Sequence, residues 1–181
     1  MTMTEEATVT VTAPPLDADA LRALVAVEAD EDRLRTLVAD GLTGLDDPRE
    51  RVALAAAAAR TALEQGDAAR AVRASAALQL AQTMKAVRVW KDTLGITRNV
   101  WNRIKNDPEA VVGSYADPET TAREAAVECR RWDAVRDAAI AVRDDTATGL
   151  MNGRYGPPAR NAEVVNLTGL TSARVAQLRT S

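Results

Sequence analysis

The sequence predicts an all-α protein built from several helices. Hydrophobic residues make up 46% of the 181 positions, which is enough to bury a core, yet aromatic residues make up only 3% and Phe is absent. Such a core consists mainly of Ala, Leu and Val. This composition favours close-packed helices over β-sheets, whose strands are enriched in aromatic and β-branched residues.

An arm and two short acidic helices are predicted at the N-terminal end. Residues 1–15 are rich in Thr and end in Ala-Pro-Pro, and we interpret them as a flexible arm, with a strand that pairs only in an oligomer as the alternative. Apolar residues at helical spacing predict one helix over 16–29 and another over 31–42. These helices form an acidic segment, 16–45.

Two blocks of similar length follow, at 46–112 and 113–181. Each begins with a helix start in which Asp caps the helix and Pro occupies its first turn, at Asp47-Pro48 and Asp117-Pro118. Each also ends in the same glycine-centred pattern. This order of signals predicts an internal duplication, with about four residues inserted in the second copy.

Breaks are expected within both blocks. In the first, the Ala-rich helix is predicted to pause at Gly66-Asp67 and to resume toward Trp90. In the second, helix is predicted to about Asp144, followed by a gap at 149–158 and a short helix over 159–167.

The two glycine-centred patterns, at about 86–105 and 159–179, resemble the turn and the second helix of a helix-turn-helix. A Gly supplies the positive φ of the turn, an apolar residue follows it, and a Thr stands where it would cap the next helix. Positions +1, +6 and +9 from each Gly are apolar, and we expect them to pack on the preceding helix. They are Ile96, Trp101 and Ile104 after Gly95, and Leu170, Val175 and Leu178 after Gly169.

The opposite face of each second helix is polar. Arg, Asn and Gln make bidentate contacts with guanine and adenine edges, so this face predicts contact with bases in a major groove. The predicted base-contacting residues are Thr171, Ser172, Arg174 and Gln177 in the second copy, and Arg98, Asn99, Asn102 and Arg103 in the first. The predicted phosphate-contacting residues are Arg154, Tyr155, Arg160, Arg179, Lys85 and Lys105.

Charge is distributed unevenly along the chain, whose net charge is −3. Segments 1–83 and 107–150 carry −6 and −5, whereas segments 84–106 and 151–181 carry +5 and +3. The positive segments are those that contain the glycine-centred patterns, as expected for local phosphate binding. Enrichment of cations near helix C-termini is the alternative explanation.

Catalytic and metal sites of the common kinds are excluded. The chain has no His and a single Cys, Cys129, which removes the usual zinc ligand sets, the Ser-His-Asp and Cys-His arrangements and intrachain disulfides. We interpret Cys129 as a packing residue, and Asp46-Asp47 and Asp144-Asp145 as caps or helix-end residues. The protein is therefore predicted not to be an enzyme and to need no cofactor or metal.

The sequence also predicts a cytoplasmic protein without a membrane partner. Its longest apolar run, Val52 to Ala59, is too short to span a bilayer, and the N-terminus lacks the basic start and hydrophobic block of a signal peptide.

The segment Ala162-Glu163-Val164-Val165-Asn166-Leu167-Thr168-Gly169-Leu170-Thr171-Ser172-Ala173-Arg174-Val175-Ala176-Gln177-Leu178 resembles small helix-turn-helix DNA-binding proteins of high-GC Gram-positive bacteria, their plasmids and phages, with a turn similar to that of sigma-factor region 4. In that family a small residue, usually Ala, lies four places before the turn Gly. Here that position holds Val165 in the second copy and Lys91 in the first.

The resemblance implies a sequence-specific regulator of transcription or of plasmid or phage maintenance that binds double-stranded DNA. It would act as a homodimer, or as a pseudo-dimeric monomer if both copies bind. The alternative is a helical adaptor that binds another protein through its acidic helices and retains the turns only as packing elements.

Overall fold

The computed structural model describes residues 16–180, and this part of the chain contains helices and turns but no strand, which confirms the all-α prediction. The predicted arm, 1–15, lies outside the described residues. The helices are α1 (Ala18–Val27), α2 (Glu31–Thr43), α3 (Pro48–Leu80), a π-helix (Arg88–Thr93), α4 (Arg98–Asn106), α5 (Pro118–Met151), α6 (Asn161–Thr168) and α7 (Ser172–Arg179).

The two long helices, α3 and α5, pack against each other in antiparallel orientation. Val52, near the start of α3, lies in one apolar cluster with Ala147 at the end of α5. Ala77, near the end of α3, lies in another cluster with Ala122 at the start of α5. The two sequence blocks therefore share an interface along their long helices.

Aspartate caps begin both long helices, as predicted. The Asp47 carboxylate accepts a hydrogen bond from the Arg49 backbone N–H at 2.8 Å, and that of Asp117 accepts one from Thr120 N–H at 3.1 Å. The bond from Thr120 lowers the pKa of Asp117. A carboxylate whose folded pKa is lowered stabilises the fold above its ordinary pKa, and this contribution is lost as pH falls through the folded value.

The predicted break at Gly66 was wrong, because this glycine is buried inside the continuous helix α3. The gap predicted at 149–158 is present, but it begins only after Met151, so the buried Gly149 still belongs to α5. Gly66 lies where α3 passes α5: a Cβ added to it would lie 3.5 Å from the Trp132 Cβ. At Gly149 an added Cβ would lie only 2.5 Å from Cε2 of Tyr155. Close packing against another element, which a local pattern does not reveal, explains both glycines.

Alanine is expected to have opposite effects at these two glycines. Gly66→Ala should raise the free energy of unfolding by about 0.5–1 kcal/mol, because it removes backbone freedom and its tightest neighbour is the flexible Arg70 guanidinium at 3.3 Å. Gly149→Ala should lower it by about 1 kcal/mol, because the Tyr155 ring must move. Urea denaturation followed by circular dichroism measures both, and equal shifts would contradict the packing described here.

Helices α1 and α2 cover one side of the α3/α5 pair. Leu21 of α1 and Leu34 and Val38 of α2 are fully buried, in one cluster with alanines of α3 and with Trp132 and Val135 of α5. These helices match the predicted acidic segment closely. Asp17 and Asp30 cap them.

Cys129 is buried, 2% exposed, which confirms its interpretation as a packing residue. Burial raises the pKa of its thiol, because the thiolate loses solvation. We expect iodoacetamide at pH 8 to modify the native protein at least about tenfold more slowly than the urea-unfolded chain, because only opened molecules expose the thiol. Mass spectrometry of timed samples measures the two rates, and equal rates would contradict the burial.

Candidate nucleic-acid interface

Two compact units follow the long helices. We define the central unit as the π-helix and α4 (Arg88–Asn106), and the C-terminal unit as α6 and α7 (Asn161–Arg179). In each, a glycine with positive φ makes the turn, Gly95 at 61° and Gly169 at 68°. These angles confirm the predicted role of both glycines.

A threonine caps the second helix of each unit, also as predicted. The Thr97 hydroxyl accepts a hydrogen bond from Val100 N–H at 3.4 Å, and that of Thr171 accepts one from Arg174 N–H at 3.2 Å. In the C-terminal unit the turn is fixed further by Thr168, which is buried. Its hydroxyl donates to the Val164 carbonyl and accepts from Leu170 N–H.

The apolar positions +1, +6 and +9 face the long helices in both units. Val175 and Leu178 are buried in the cluster that contains Val52, with Leu170 half-buried beside them. Trp101 is buried in the cluster that contains Ala122, with half-buried Ile96 and Ile104. Both predicted docking faces are therefore in contact with the α3/α5 pair.

The helices that precede the two glycines differ. In the central unit this helix is a π-helix, in which the Leu94 N–H donates to the Val89 carbonyl five residues earlier at 3.0 Å. Val89 is fully buried and Lys91 is exposed. The wider turn thus places Lys91 toward solvent, which removes the conflict that a lysine creates at this position in a regular α-helix.

All eight residues predicted to contact bases are exposed. They lie outside the buried apolar faces of α4 and α7, although Arg174 contacts α5 through its side chain. The two faces differ, however, in the partners of their side chains.

In the basic segment 151–181, two of the four predicted arginines, Arg154 and Arg174, are held by aspartates of α5. Arg174 Nη2 lies 3.0 Å from the Asp144 carboxylate and Arg174 Nη1 lies 3.4 Å from Gln177 Oε1. Arg154 Nη1 lies 3.0 Å from both oxygens of Asp145, and this hydrogen bonding raises the pKa of Arg154. The prediction that Asp144 and Asp145 are helix-end residues was wrong, because α5 continues to Met151.

In the basic segment 84–106, which contains the central unit, the cations are exposed and unpaired. Within residues 16–180 none of them has a carboxylate within 4.0 Å or a side-chain hydrogen bond, and only Asp92 opposes them in the segment. These residues are Lys85, Arg88, Lys91, Arg98, Arg103 and Lys105. Arg88 and Lys91 were not selected from the sequence, although their membership of the +5 segment was a sufficient signal.

Tyr155 has a packing role. Its half-buried ring belongs to the apolar cluster of the C-terminal unit, and the guanidinium groups of Arg51 and Arg154 lie 5.7 and 5.8 Å from the ring centroid. The remaining predicted phosphate contacts, Arg160 and Arg179, are exposed.

Comparisons with family models, with curated proteins and with solved structures gave no match for this chain. Among the helices of residues 16–180, none combines the length and the apolar character that a membrane span requires.

Proposed function

We propose that this protein binds double-stranded DNA through the exposed polar faces of α4 and α7 and acts as a regulator of transcription or of plasmid or phage maintenance. The observation that carries the proposal is the basic segment 84–106, whose six cations are exposed and unpaired and whose helix α4 holds Arg98, Asn99, Asn102 and Arg103 on its exposed side. Unpaired surface cations release counterions from DNA without first breaking an ion pair.

The arrangement of each unit supports the proposal. Helices α4 and α7 pack on the long helices through buried apolar side chains, and α7 is also held by the Arg174–Asp144 ion pair, while the other predicted base-contacting residues are exposed. Threonine caps and positive-φ glycines fix their orientation. A rigid, outward-facing polar helix is what insertion into a major groove requires.

Salt-dependent binding tests the proposal. We expect fluorescence anisotropy with a labelled 30-bp duplex of mixed sequence to detect binding that weakens steeply between about 50 and 200 mM salt. Arg98→Ala with Arg103→Ala should weaken binding about tenfold or more at the lower salt concentration and reduce the salt slope by about 2.

A matched control is provided by Arg22→Ala with Arg35→Ala. It removes the same charge from α1 and α2, where both arginines are exposed and paired with aspartates. The control should change affinity less than about twofold. Equal losses in the two double variants, or no binding at low salt, would contradict the proposal.

One observation favours the alternative function, protein binding. Leu24, Val27 and Leu37 line an open apolar groove between α1 and α2, and Val27 is 82% exposed. Asp40 lies in its lining and the segment 16–45 is acidic, so the complementary partner is an amphipathic helix with basic flanks. If the groove binds a partner protein, Val27→Asp should abolish that binding. If the protein acts by binding DNA, the same substitution should leave DNA binding unchanged.

A further inference from the structure

The two units occupy equivalent places on the long helices. Val52 of the first block packs with the C-terminal unit, and Ala122 of the second block packs with the central unit. These two residues are 70 positions apart. The same difference separates Ala77 from Ala147, and Leu80 from Leu150, which contact the unit of their own block. The blocks are therefore related by an approximate two-fold axis between α3 and α5.

This axis places both units on one side of the protein. A rotation that exchanges two antiparallel helices has its axis perpendicular to the plane that contains them, so it moves no group from one face of that plane to the other. Helices α1 and α2 pack mainly on α5, on a different side of that helix from the C-terminal unit. On α5, Ala138 and Val142 of their cluster project about 120° from Asp144 and Thr148, which contact α7.

The spacing of the units follows from the length of α3. The outermost α3 contacts of the two units are at Val52 for the C-terminal unit and near Ala77 for the central unit. Both units extend inward from these points, to Arg60 and Ala71. With a rise of about 1.5 Å per residue, these outermost positions lie about 38 Å apart, which sets the upper limit of the spacing along α3. Successive major grooves on one face of B-DNA are about 34–36 Å apart.

We propose that a single chain binds two half-sites on one face of a DNA duplex, about one helical turn apart, as an internally duplicated equivalent of a homodimer. The inference rests on the proposed function. Equivalent positions on the two polar faces hold different residues, since Arg98 corresponds to Ser172 and Arg103 to Gln177. The two half-sites therefore differ in sequence, and the site is not a true palindrome.

Selection from a random 30-bp duplex library with the full chain, followed by sequencing, tests this inference. We expect two enriched blocks, about 10–11 bp apart from centre to centre. Arg98→Ala with Asn102→Ala should erase enrichment in one block, and Ser172→Ala with Arg174→Ala should erase it in the other. Sedimentation of the selected complex should give one chain per duplex.

Spacing variants separate this inference from the proposed function. Insertion of 5 bp between the blocks turns one half-site to the opposite face and should weaken binding about 10- to 100-fold, whereas substitution of the same number of central bases should not. Two chains per duplex, or one block that tolerates the insertion, would overturn the inference while leaving DNA binding intact. No enrichment and no salt-dependent binding would overturn both.

Discussion

Replacement of Trp101 by alanine is expected to lower the free energy of unfolding by about 3–5 kcal/mol, the usual cost of deleting a large buried aromatic side chain. Trp101 is 4% exposed and has the largest side chain among the buried members of its cluster. Its removal leaves Ala77, Ala122 and Leu80 around a cavity. Small side chains cannot fill that space, because neither long helix can move without losing its contacts with the other.

Urea denaturation of the variant measures this loss. Val175→Ala is the matched comparison, because Val175 has the equivalent position in the C-terminal unit. Val175→Ala should lower the free energy of unfolding by only about 2 kcal/mol, since it removes a smaller apolar group from the core. Val87→Ala, at a position that is 48% exposed, is the control and should have little effect. Similar costs for Trp101→Ala and Val87→Ala would contradict the docking of α4.

The same variant identifies which part of the molecule depends on Trp101. The buried residues of α1 and α2 belong to a cluster that does not include this side chain. We therefore expect most of the helical circular dichroism to persist at low temperature and, on the basis of the proposed function, DNA binding through α4 to be lost. Loss of all helical signal would mean that the two clusters unfold together.

Helix starts and turns were predicted well from the sequence, because they depend on residues only a few positions away. Aspartate caps, threonine caps and positive-φ glycines act within a few residues, and all were placed correctly at Asp47, Asp117, Thr97 and Thr171. The glycines inside the long helices were misinterpreted as helix breaks, because the reason for a glycine at these positions is the close approach of a side chain from another part of the chain. Trp132 approaches Gly66, and Tyr155 approaches Gly149.

The candidate site was predicted in outline but not in its electrostatics. Charge counts located both basic segments, yet they could not show that α5 pairs with two of the four cations in segment 151–181, Arg154 and Arg174. Asp144 and Arg174 are 30 positions apart and meet only because α7 folds back along α5. Lys91 was expected at a position that packs against the next helix, but the π-helix turns it toward solvent. An α-helical pattern does not anticipate that change.

Asp144→Asn is expected to tighten DNA binding about 5- to 30-fold at about 50 mM salt, on the basis of the proposed function. The substitution removes one negative charge beside the polar face of α7 and releases Arg174, whose side chain is 46% exposed, from its ion pair. A partly exposed pair of this kind is worth about 1 kcal/mol or less, so DNA competes with it readily. Reduced repulsion of nearby phosphates adds to the gain.

The salt dependence of this variant distinguishes a released cation from a general change in charge. One additional phosphate contact steepens the salt slope by about 1. Asp19→Asn is the control, because it removes the same charge and one ion pair, with Arg22, from α1. It should leave the slope unchanged. Asp144 also pairs with Arg143 at 2.7 Å, so the stability of the variant must be measured alongside. A folded Asp144→Asn protein with wild-type affinity and slope would show that α7 does not contact the duplex.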